Sequence, residues 1–285
     1  MRPAYITDEN LSFFIDSALR EDVEDGDHTT LATVPADKMA TAELKIKGDG
    51  VIAGIEFSKF YWNKVDPNLK LSYKVKDGSA VRNGDLAFTV EGSVRSILTG
   101  ERLLLNCMQR MSGIATKTKR VSDLLKGSKA KVLDTRKTTP NFRMLEKWAV
   151  YIGGGINHRY GLFDQILLKD NHVDISGGIT NALKAAKTYI EQNNLNLKIE
   201  IETRSIKEVK EVLKAGIGDI IMFDNMMPSD MKIAIDLIKG KLITEASGGI
   251  TELNINDVAE TGVDFISVGA LTHSYESLDL SLKIK

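Results

Sequence analysis

Apolar and polar positions change rhythm twice along the chain. Near the N-terminus, Thr7-Asp8-Glu9-Asn10 precedes apolar residues at Leu11, Phe14, Ile15, Ala18 and Leu19, the spacing of a capped helix with one buried face. Glu21 to Thr30 reads as an acidic turn. Ala42, Leu44 and Ile46 then alternate with Glu43, Lys45 and Lys47, the period of a strand with one wet face. Asp77-Gly78 and Asn83-Gly84-Asp85 mark turns between further short strands. A long helical stretch follows from about Ile97 to Lys126, and Gly113 is expected to break it.

Beyond Lys129, short apolar runs alternate with helical stretches. The runs are Val132-Leu133-Asp134, Ile166-Leu167-Leu168, Ile199-Glu200-Ile201-Glu202, Ile220-Ile221-Met222-Phe223, Leu242-Ile243-Thr244 and Phe265-Ile266-Ser267-Val268. Val209 through Leu213 is one of the helical patterns between them. Repetition of this kind requires a parallel sheet with helices outside. No dinucleotide-binding turn opens it, so an α/β barrel is expected rather than a doubly wound sheet. Leu278, Leu280, Leu282 and Ile284 return to strict alternation, as a strand crossing back to the first sheet. The expected division is an N-terminal α+β domain, 1–112, joined by the strand 275–285, and a barrel domain, 113–274.

The 285 residues suffice for one large domain or two ordinary ones. With 42% apolar and 27% charged residues, the composition is globular rather than disordered. Lys+Arg total 38 and Asp+Glu 39, a net charge of −1 that excludes a bulk electrostatic grip on nucleic acid or an anionic membrane. The single cysteine, Cys107, excludes an intrachain disulfide. No stretch has the ~18 apolar residues of a membrane span, and acids stand where a leader's apolar region would begin. A cytoplasmic protein is expected. No Cys/His cluster suits structural zinc.

Barrels gather their chemistry where strands end. Those positions hold Asp134-Thr135-Arg136-Lys137, Lys169-Asp170-Asn171-His172, Glu202, Asp224-Asn225, Ser247-Gly248-Gly249 and Gly269-Ala270. Gly153-Gly154-Gly155-Ile156-Asn157-His158-Arg159 lies between the first two. Arg136, Lys137, His158, Arg159 and Lys169 would converge as a cationic cluster, which calls for a ligand with several negative charges. Ser247-Gly248-Gly249, before an expected helix, offers backbone N–H groups to a phosphate, and Gly269-Ala270 repeats the arrangement. Glu202 and Asp224, ending adjacent strands, suggest Mg²⁺. Glu200 faces the same side as Glu202, and either is a candidate ligand. Cys107 lies in an apolar stretch and reads as a buried structural residue. His28 reads as a local hydrogen-bonding residue, and His172 and His273 as loop caps.

Several of these segments resemble the quinolinate phosphoribosyltransferase family. They are Thr135-Arg136-Lys137-Thr138-Thr139-Pro140, Glu146-Lys147-Trp148-Ala149-Val150, Gly153 to Arg159, Lys169 to His172 and Asp224-Asn225. Glu245 to Ile250 and Ser267 to Ser274 follow in the family's order. Upstream, Gly26 to Thr30 and Gly100 to Asn106 also fit, so the similarity spans nearly the whole chain. Asn141-Phe142 and Thr203-Arg204 depart from the family pattern, the latter adding a positive charge near the expected metal site. A sister group linked to molybdenum transport shares the fold but differs around the triple glycine and Lys169 to His172.

The resemblance implies an α/β protein: a sandwich-like α+β domain plus an incomplete α/β barrel, the type II phosphoribosyltransferase architecture. It implies transfer of phosphoribosyl from phosphoribosyl pyrophosphate to quinolinate, with release of pyrophosphate and CO₂ and formation of nicotinate mononucleotide. Arg136, His158, Arg159 and Lys169 would face the dicarboxylate, and Arg102 would come from the neighbouring subunit of a homodimer. Thr135 and Lys137 would also contact substrate, and Ser247, Gly248, Gly249, Val268, Gly269 and Ala270 would hold the 5-phosphate. Lys137, Lys169, Glu202 and Asp224 carry the implied catalytic roles, with Mg²⁺ at Glu202 and Asp224. Neither pyridoxal phosphate nor flavin is needed. The rival readings are a barrel lyase with Lys169 as Schiff-base nucleophile and a non-catalytic phosphate-metabolite binder.

Overall fold

A computed structural model describes residues 2–285. In chain order, α1 (Asp8–Val23), α2 (His28–Thr33), β1 (Met39–Ile46), β2 (Gly50–Val51), α3 (Ile55–Val65), β3 (Lys70–Tyr73), β4 (Ala80–Val81) and β5 (Leu86–Ser93) lead into the long helix α4 (Val94–Leu124). β6 (Lys131–Leu133), α5 (Arg143–Ile152), β7 (Ile166–Leu168), α6 (Asp170–Ile175), α7 (Ile179–Gln192), β8 (Ile199–Thr203) and α8 (Ile206–Ala215) follow. The chain ends with β9 (Ile220–Asp224), α9 (Pro228–Ile238), β10 (Ile243–Ser247), α10 (Ile255–Ala259), β11 (Phe265–Ser267), α11 (Ala270–His273) and β12 (Leu280–Ile284). There are two compact units: 1–119 with 138–154 and 271–285, and 120–137 with 155–270.

The first unit is built on a four-stranded antiparallel sheet, ordered β12-β1-β5-β3, with β2 and β4 paired separately. Ala42, Leu44 and Ile46 of β1 are buried, and they pair with Ile284, Leu282 and Leu280 of β12. Thr7 caps α1, its hydroxyl accepting from the Asn10 amide at 3.1 Å, and Leu11 and Ile15 form the buried face. Phe14, Phe57, Tyr61 and Trp62 form a chain of aromatic contacts with centroids 5.5–6.2 Å apart. The Tyr61 hydroxyl donates to the Gly100 carbonyl at 2.8 Å, and burial raises its pKa. Cys107 is buried, and that burial pushes its thiol up to about 12, consistent with a structural role.

Two local expectations are corrected here. The acidic segment before Thr30 is not all turn, because His28–Thr33 is helical. Asp27 caps this helix, accepting the Thr30 amide at 3.0 Å and its hydroxyl at 2.5 Å. These bonds hold the Asp27 carboxyl below its usual range. Gly113 does not break α4, which is continuous through it. A Cβ at Gly113 would stand 2.1 Å from the Glu276 carbonyl oxygen, so glycine is there to admit the returning C-terminal chain.

The second unit is a six-stranded all-parallel sheet in the order β6-β11-β10-β9-β8-β7. Apart from the position of β6, this is chain order in reverse, as expected of strands rolled into a barrel with one unpaired seam, between β6 and β7. Ile156 partly covers the β6 side: its amide donates to the Val132 carbonyl at 2.9 Å and its carbonyl accepts from the Asp134 amide at 3.2 Å. At the strand starts, Asp219 accepts from the Ile199 amide (2.7 Å) and Asp264 from the Thr244 amide (2.9 Å) and hydroxyl (2.7 Å). These bonds fix the stagger of neighbouring strands.

Gly113→Ala should destabilise the protein. Helix propensity alone would favour alanine by about 1 kcal/mol, but a backbone collision cannot be relieved by a rotamer change and costs about 1–3 kcal/mol or more. Chemical denaturation should show a lower midpoint; an unchanged or raised midpoint would mean that the close approach at Glu276 is not a constraint.

Candidate active site

The strand ends of the second unit open into a cavity of about 560 Å³. Its wall contains Thr135, Arg136, Lys137, His158, Arg159, Lys169, Glu202, Asp224, Ser247, Gly248 and Gly249. Residues from separate turns of the sequence are thus brought to one place. Leu167, Met222, Asn225, Glu245 and Ser267 complete the wall. Val268, Gly269 and Ala270 follow β11 but are not wall residues; Ser267 represents that strand end. Arg102 belongs to the first unit, where it lines a separate cleft with Glu101, Lys47 and Asp279.

The loop that carries His158 is set by Asp134. This buried carboxylate accepts the His158 amide at 2.9 Å and the Asn157 side-chain amide at 2.7 Å. The His158 Nδ1 accepts from the Arg159 amide at 2.7 Å. A ring nitrogen that accepts carries no proton, so the ring proton sits on Nε2. Nε2 lies 3.1 Å from Glu200 and 3.5 Å from Glu245. Both ring nitrogens are therefore engaged within the protein, and His158 is not an open cation.

Glu200 and Glu245 are both buried. Ser267 donates its hydroxyl to Glu245, and Gln165 its amide to Glu200. Burial first, and then the Glu200 charge, push the Glu245 carboxyl up to about 8. The folded site therefore favours the protonated form of Glu245. Nothing in the sequence singled out Glu245. A usable signal was its place two residues before Ser247, hence on the same face of β10. The three side chains would fit a metal geometrically, but the His158 nitrogen aimed at the acids is a donor, so the cluster is held by protons. Of the two glutamates left open by the sequence, Glu202 is the one on the cavity wall.

Above these acids, burial lowers the pKa of Arg159, and the nearby Arg136 charge lowers it further; Glu200, Asp164 and Glu202 oppose this. Two guanidinium groups thus repel each other beside the cavity, a tension that a bound anion would relieve. Arg159 Nη1 is oriented by the Gln165 carbonyl at 3.2 Å. Lys169 Nζ meets Glu202 at 2.5 Å. An ammonium held by a carboxylate is a poor Schiff-base nucleophile, which counts against the lyase reading. Glu202 and Asp224 present carboxylate oxygens from neighbouring strands, a donor set suited to a hard divalent cation.

The Ser247-Gly248-Gly249 turn differs from expectation. No helix follows directly: α10 starts at Ile255 and has only 5 residues. Between them Asn254 accepts from the Thr251 amide (2.8 Å) and donates to the Gly249 carbonyl (3.1 Å). The turn therefore has no helix dipole directed at it. Gly248 and Gly249 have φ of +93° and +61°, and a Cβ on Gly248 would lie 2.3 Å from Asn225 Oδ1. Asn225 is itself left-handed, at φ 52°, and its amide donates to the Ser247 carbonyl at 2.9 Å. Arg204 does not add charge to the cavity: it pairs with Glu208 at 3.0 Å and Asp174 at 3.3 Å. Those partners form because Arg204 lies past the end of β8, beside helix acids. His172 caps as expected, its Nδ1 accepting the Lys169 amide at 2.9 Å.

A strand-end cavity with clustered cations, paired acids and a glycine turn defines an enzyme of small anionic substrates. The chain belongs to the quinolinate phosphoribosyltransferase family. The C-terminal domain of quinolinate phosphoribosyl transferase matches residues 114–283 and its N-terminal domain residues 27–112. A chloroplastic nicotinate-nucleotide pyrophosphorylase [carboxylating] of Arabidopsis thaliana is 46% identical, covering 96% of this chain and 83% of that protein. A probable nicotinate-nucleotide pyrophosphorylase [carboxylating] of Bacillus subtilis is 40% identical, covering 93% and 90%. The solved nicotinate-nucleotide pyrophosphorylase of Francisella tularensis superposes with a TM-score of 0.91 at 38% identity, covering 98% of each chain.

The raised Glu245 carboxyl has a consequence for stability. An acid that binds its proton more tightly when folded favours the folded state while protonated. That contribution is full below the unfolded value near 4.5 and is lost as pH rises toward about 8. Wild-type melting temperature should therefore fall between pH 5 and 8 more steeply than that of Glu245→Gln, which cannot ionise. Parallel curves would mean that Glu245 is already ionised at pH 5.

Proposed function

We propose that this chain transfers the phosphoribosyl group of phosphoribosyl pyrophosphate to the nitrogen of quinolinate, with decarboxylation, giving nicotinate mononucleotide, pyrophosphate and CO₂. The observation that carries the reading is the pair of mutually repelling guanidiniums, Arg136 and Arg159, on one cavity wall. A dicarboxylate relieves that repulsion through two-pronged hydrogen bonds. His158, fixed by Glu200 and Glu245, orients Arg159 through the bond to its amide and contributes ring surface.

The backbone of Ser247, Gly248 and Gly249 supports binding of the 5-phosphate, with Gly269 and Ala270 in the adjoining turn. Lys137 and Lys169 supply positive charge toward the departing pyrophosphate, and Glu202 holds the Lys169 ammonium. Mg²⁺, held by Glu202 and Asp224, would neutralise the leaving group's charge when bound. Glu202 and Asp224 also place negative charge where the anomeric carbon becomes positive. Once the N-riboside forms, its cationic ring nitrogen stabilises the electron pair left on the ring carbon as CO₂ departs, and a proton taken up from solvent closes that pair as a C–H bond, so no organic cofactor is required.

The reading includes a homodimer. In it Arg102, a residue of the first unit, serves the cavity of a second copy. It also includes a cytoplasmic home, favoured by one buried cysteine; related plant proteins carry chloroplastic and mitochondrial names. No helix among the described residues is long and apolar enough to cross a membrane.

The deciding experiment supplies the purified protein with phosphoribosyl pyrophosphate, Mg²⁺ and either quinolinate or nicotinate. Nicotinate mononucleotide with CO₂ should form from quinolinate alone; a folded protein silent with quinolinate would overturn the assignment. Arg136→Ala and Arg159→Ala should each weaken quinolinate binding by on the order of 2–5 kcal/mol, measured calorimetrically. Wild-type affinity in both would place the acid elsewhere. Glu202→Gln and Asp224→Asn should each weaken Mn²⁺ binding followed by its spin resonance; unchanged affinity in both would remove the metal from these carboxylates.

A further inference from the structure

A second cluster of charged and aromatic groups lies in the first unit, outside the cavity just described. Arg110 projects from α4 with its guanidinium between two rings, 5.1 Å from the centroid of Phe142 and 4.7 Å from that of Tyr275. Its Nε donates to Glu146 Oε1 at 2.9 Å, and its Nη2 to the same oxygen and to the Thr139 hydroxyl. Glu146 is fully buried, and its other oxygen accepts the Thr139 amide at 3.1 Å. Thr139 is thus held at its backbone by Glu146 and at its side chain by Arg110. One residue earlier, the Thr138 hydroxyl accepts from Arg143 Nε at 2.9 Å.

The clamp continues on the C-terminal side. Asn141 adopts a left-handed φ of 61°, a conformation asparagine tolerates better than most residues. This turns Phe142 toward Arg110 and toward Phe14, whose ring is 5.6 Å away at an interplanar angle of 71°. Every residue from Thr138 to Phe142 except Pro140 and Asn141 is therefore tied by a charged or aromatic side chain. None of these bonds touches the catalytic cavity. The peptide bond from Lys137 to Thr138 is, however, where the chain passes between the two units, and Lys137 and Arg136 are wall residues.

We infer that Arg110 is a positioning residue for Lys137, acting through Thr139 and the buried Glu146. A strand-end loop left free would lose backbone entropy on being ordered at each turnover. The clamp removes that freedom in advance at the residues directly following Lys137. A buried carboxylate bonded to a guanidinium that also lies near two rings is well suited to this, because hydrogen bonds and ring contacts together restrain the planar group. This inference rests on the assignment of Lys137 to the site given above.

The test is a double-mutant cycle on the full-length protein, read as kcat/KM for the quinolinate reaction. Arg110→Met should lower it by on the order of ten- to a hundredfold, the scale of a small misplacement of a reacting group. Thr139→Val, which removes only the hydroxyl, should act in the same direction and guards against loss of folding in the first variant. In a Lys137→Ala background both losses should largely vanish, since there is no longer a side chain to position. Fully additive losses would overturn the positioning role and leave Lys137 in the site. A Lys137→Ala protein with wild-type kcat/KM would overturn the assignment of Lys137 and with it the inference.

Discussion

The strand-end cavity rests on two buried acids, Glu200 and Glu245, that meet a single imidazole, His158. Glu200 and Glu245 reach the same interior space from β8 and β10, and neither acid can move away because Gln165 and Ser267 anchor them. Two full negative charges there would be prohibitively costly. Burial and the Glu200 charge keep the proton on Glu245. The Glu200 charge opposes, at Arg159, the repulsion from Arg136. The acids face the Nε2 proton of His158, whose Nδ1 accepts the Arg159 amide and so fixes the backbone there. Cationic groups can gather at the cavity because counter-charge is built into its floor.

What the sequence revealed depended on how each element obtains its stability. The six parallel strands were legible because each is a short apolar run, buried on both faces. The helix His28–Thr33 was not, because its order comes from the Asp27 cap rather than from an apolar stripe. Gly113 was misread for a related reason. Glycine usually weakens a helix, but here the approach of Glu276 overrides the propensity. In the site, the cations and Ser247-Gly248-Gly249 stood out because charge and glycine at strand ends are unusual. Glu245 did not, because an acid in the middle of a strand ordinarily reads as a solvated face. Arg204 was misjudged since chain proximity to Glu202 says nothing about which way a long side chain turns beyond the strand.

The wall of the cavity uses small residues and left-handed backbone in a consistent way. Gly248 has no side chain because Asn225 fills that space, and Asn225 accepts a left-handed conformation in order to fill it. Two neighbouring strand ends are thereby interlocked. The same economy holds in the first unit, where Asn141 turns the chain so that Phe142 can close over Arg110. In both places asparagine provides the bend and a hydrogen-bonding or aromatic neighbour holds it.

The unpaired seam between β6 and β7 gives the second unit a mechanical property. A closed barrel is a hoop: its circumference is fixed by hydrogen bonds all the way round. Here the ring is split, and among the described residues the isolated bridge at the split is that of Ile156, which pairs with Leu133 of β6. Arg136 and Lys137 follow the strand on one side of the split, and Lys169 follows the strand on the other. Small changes in girth alter the spacing between those groups without breaking a ladder. The spacing across the mouth of the cavity is thus set by no ladder bond between β6 and β7, whereas the acids at its base stand on β8 and β10, within the continuous part of the sheet.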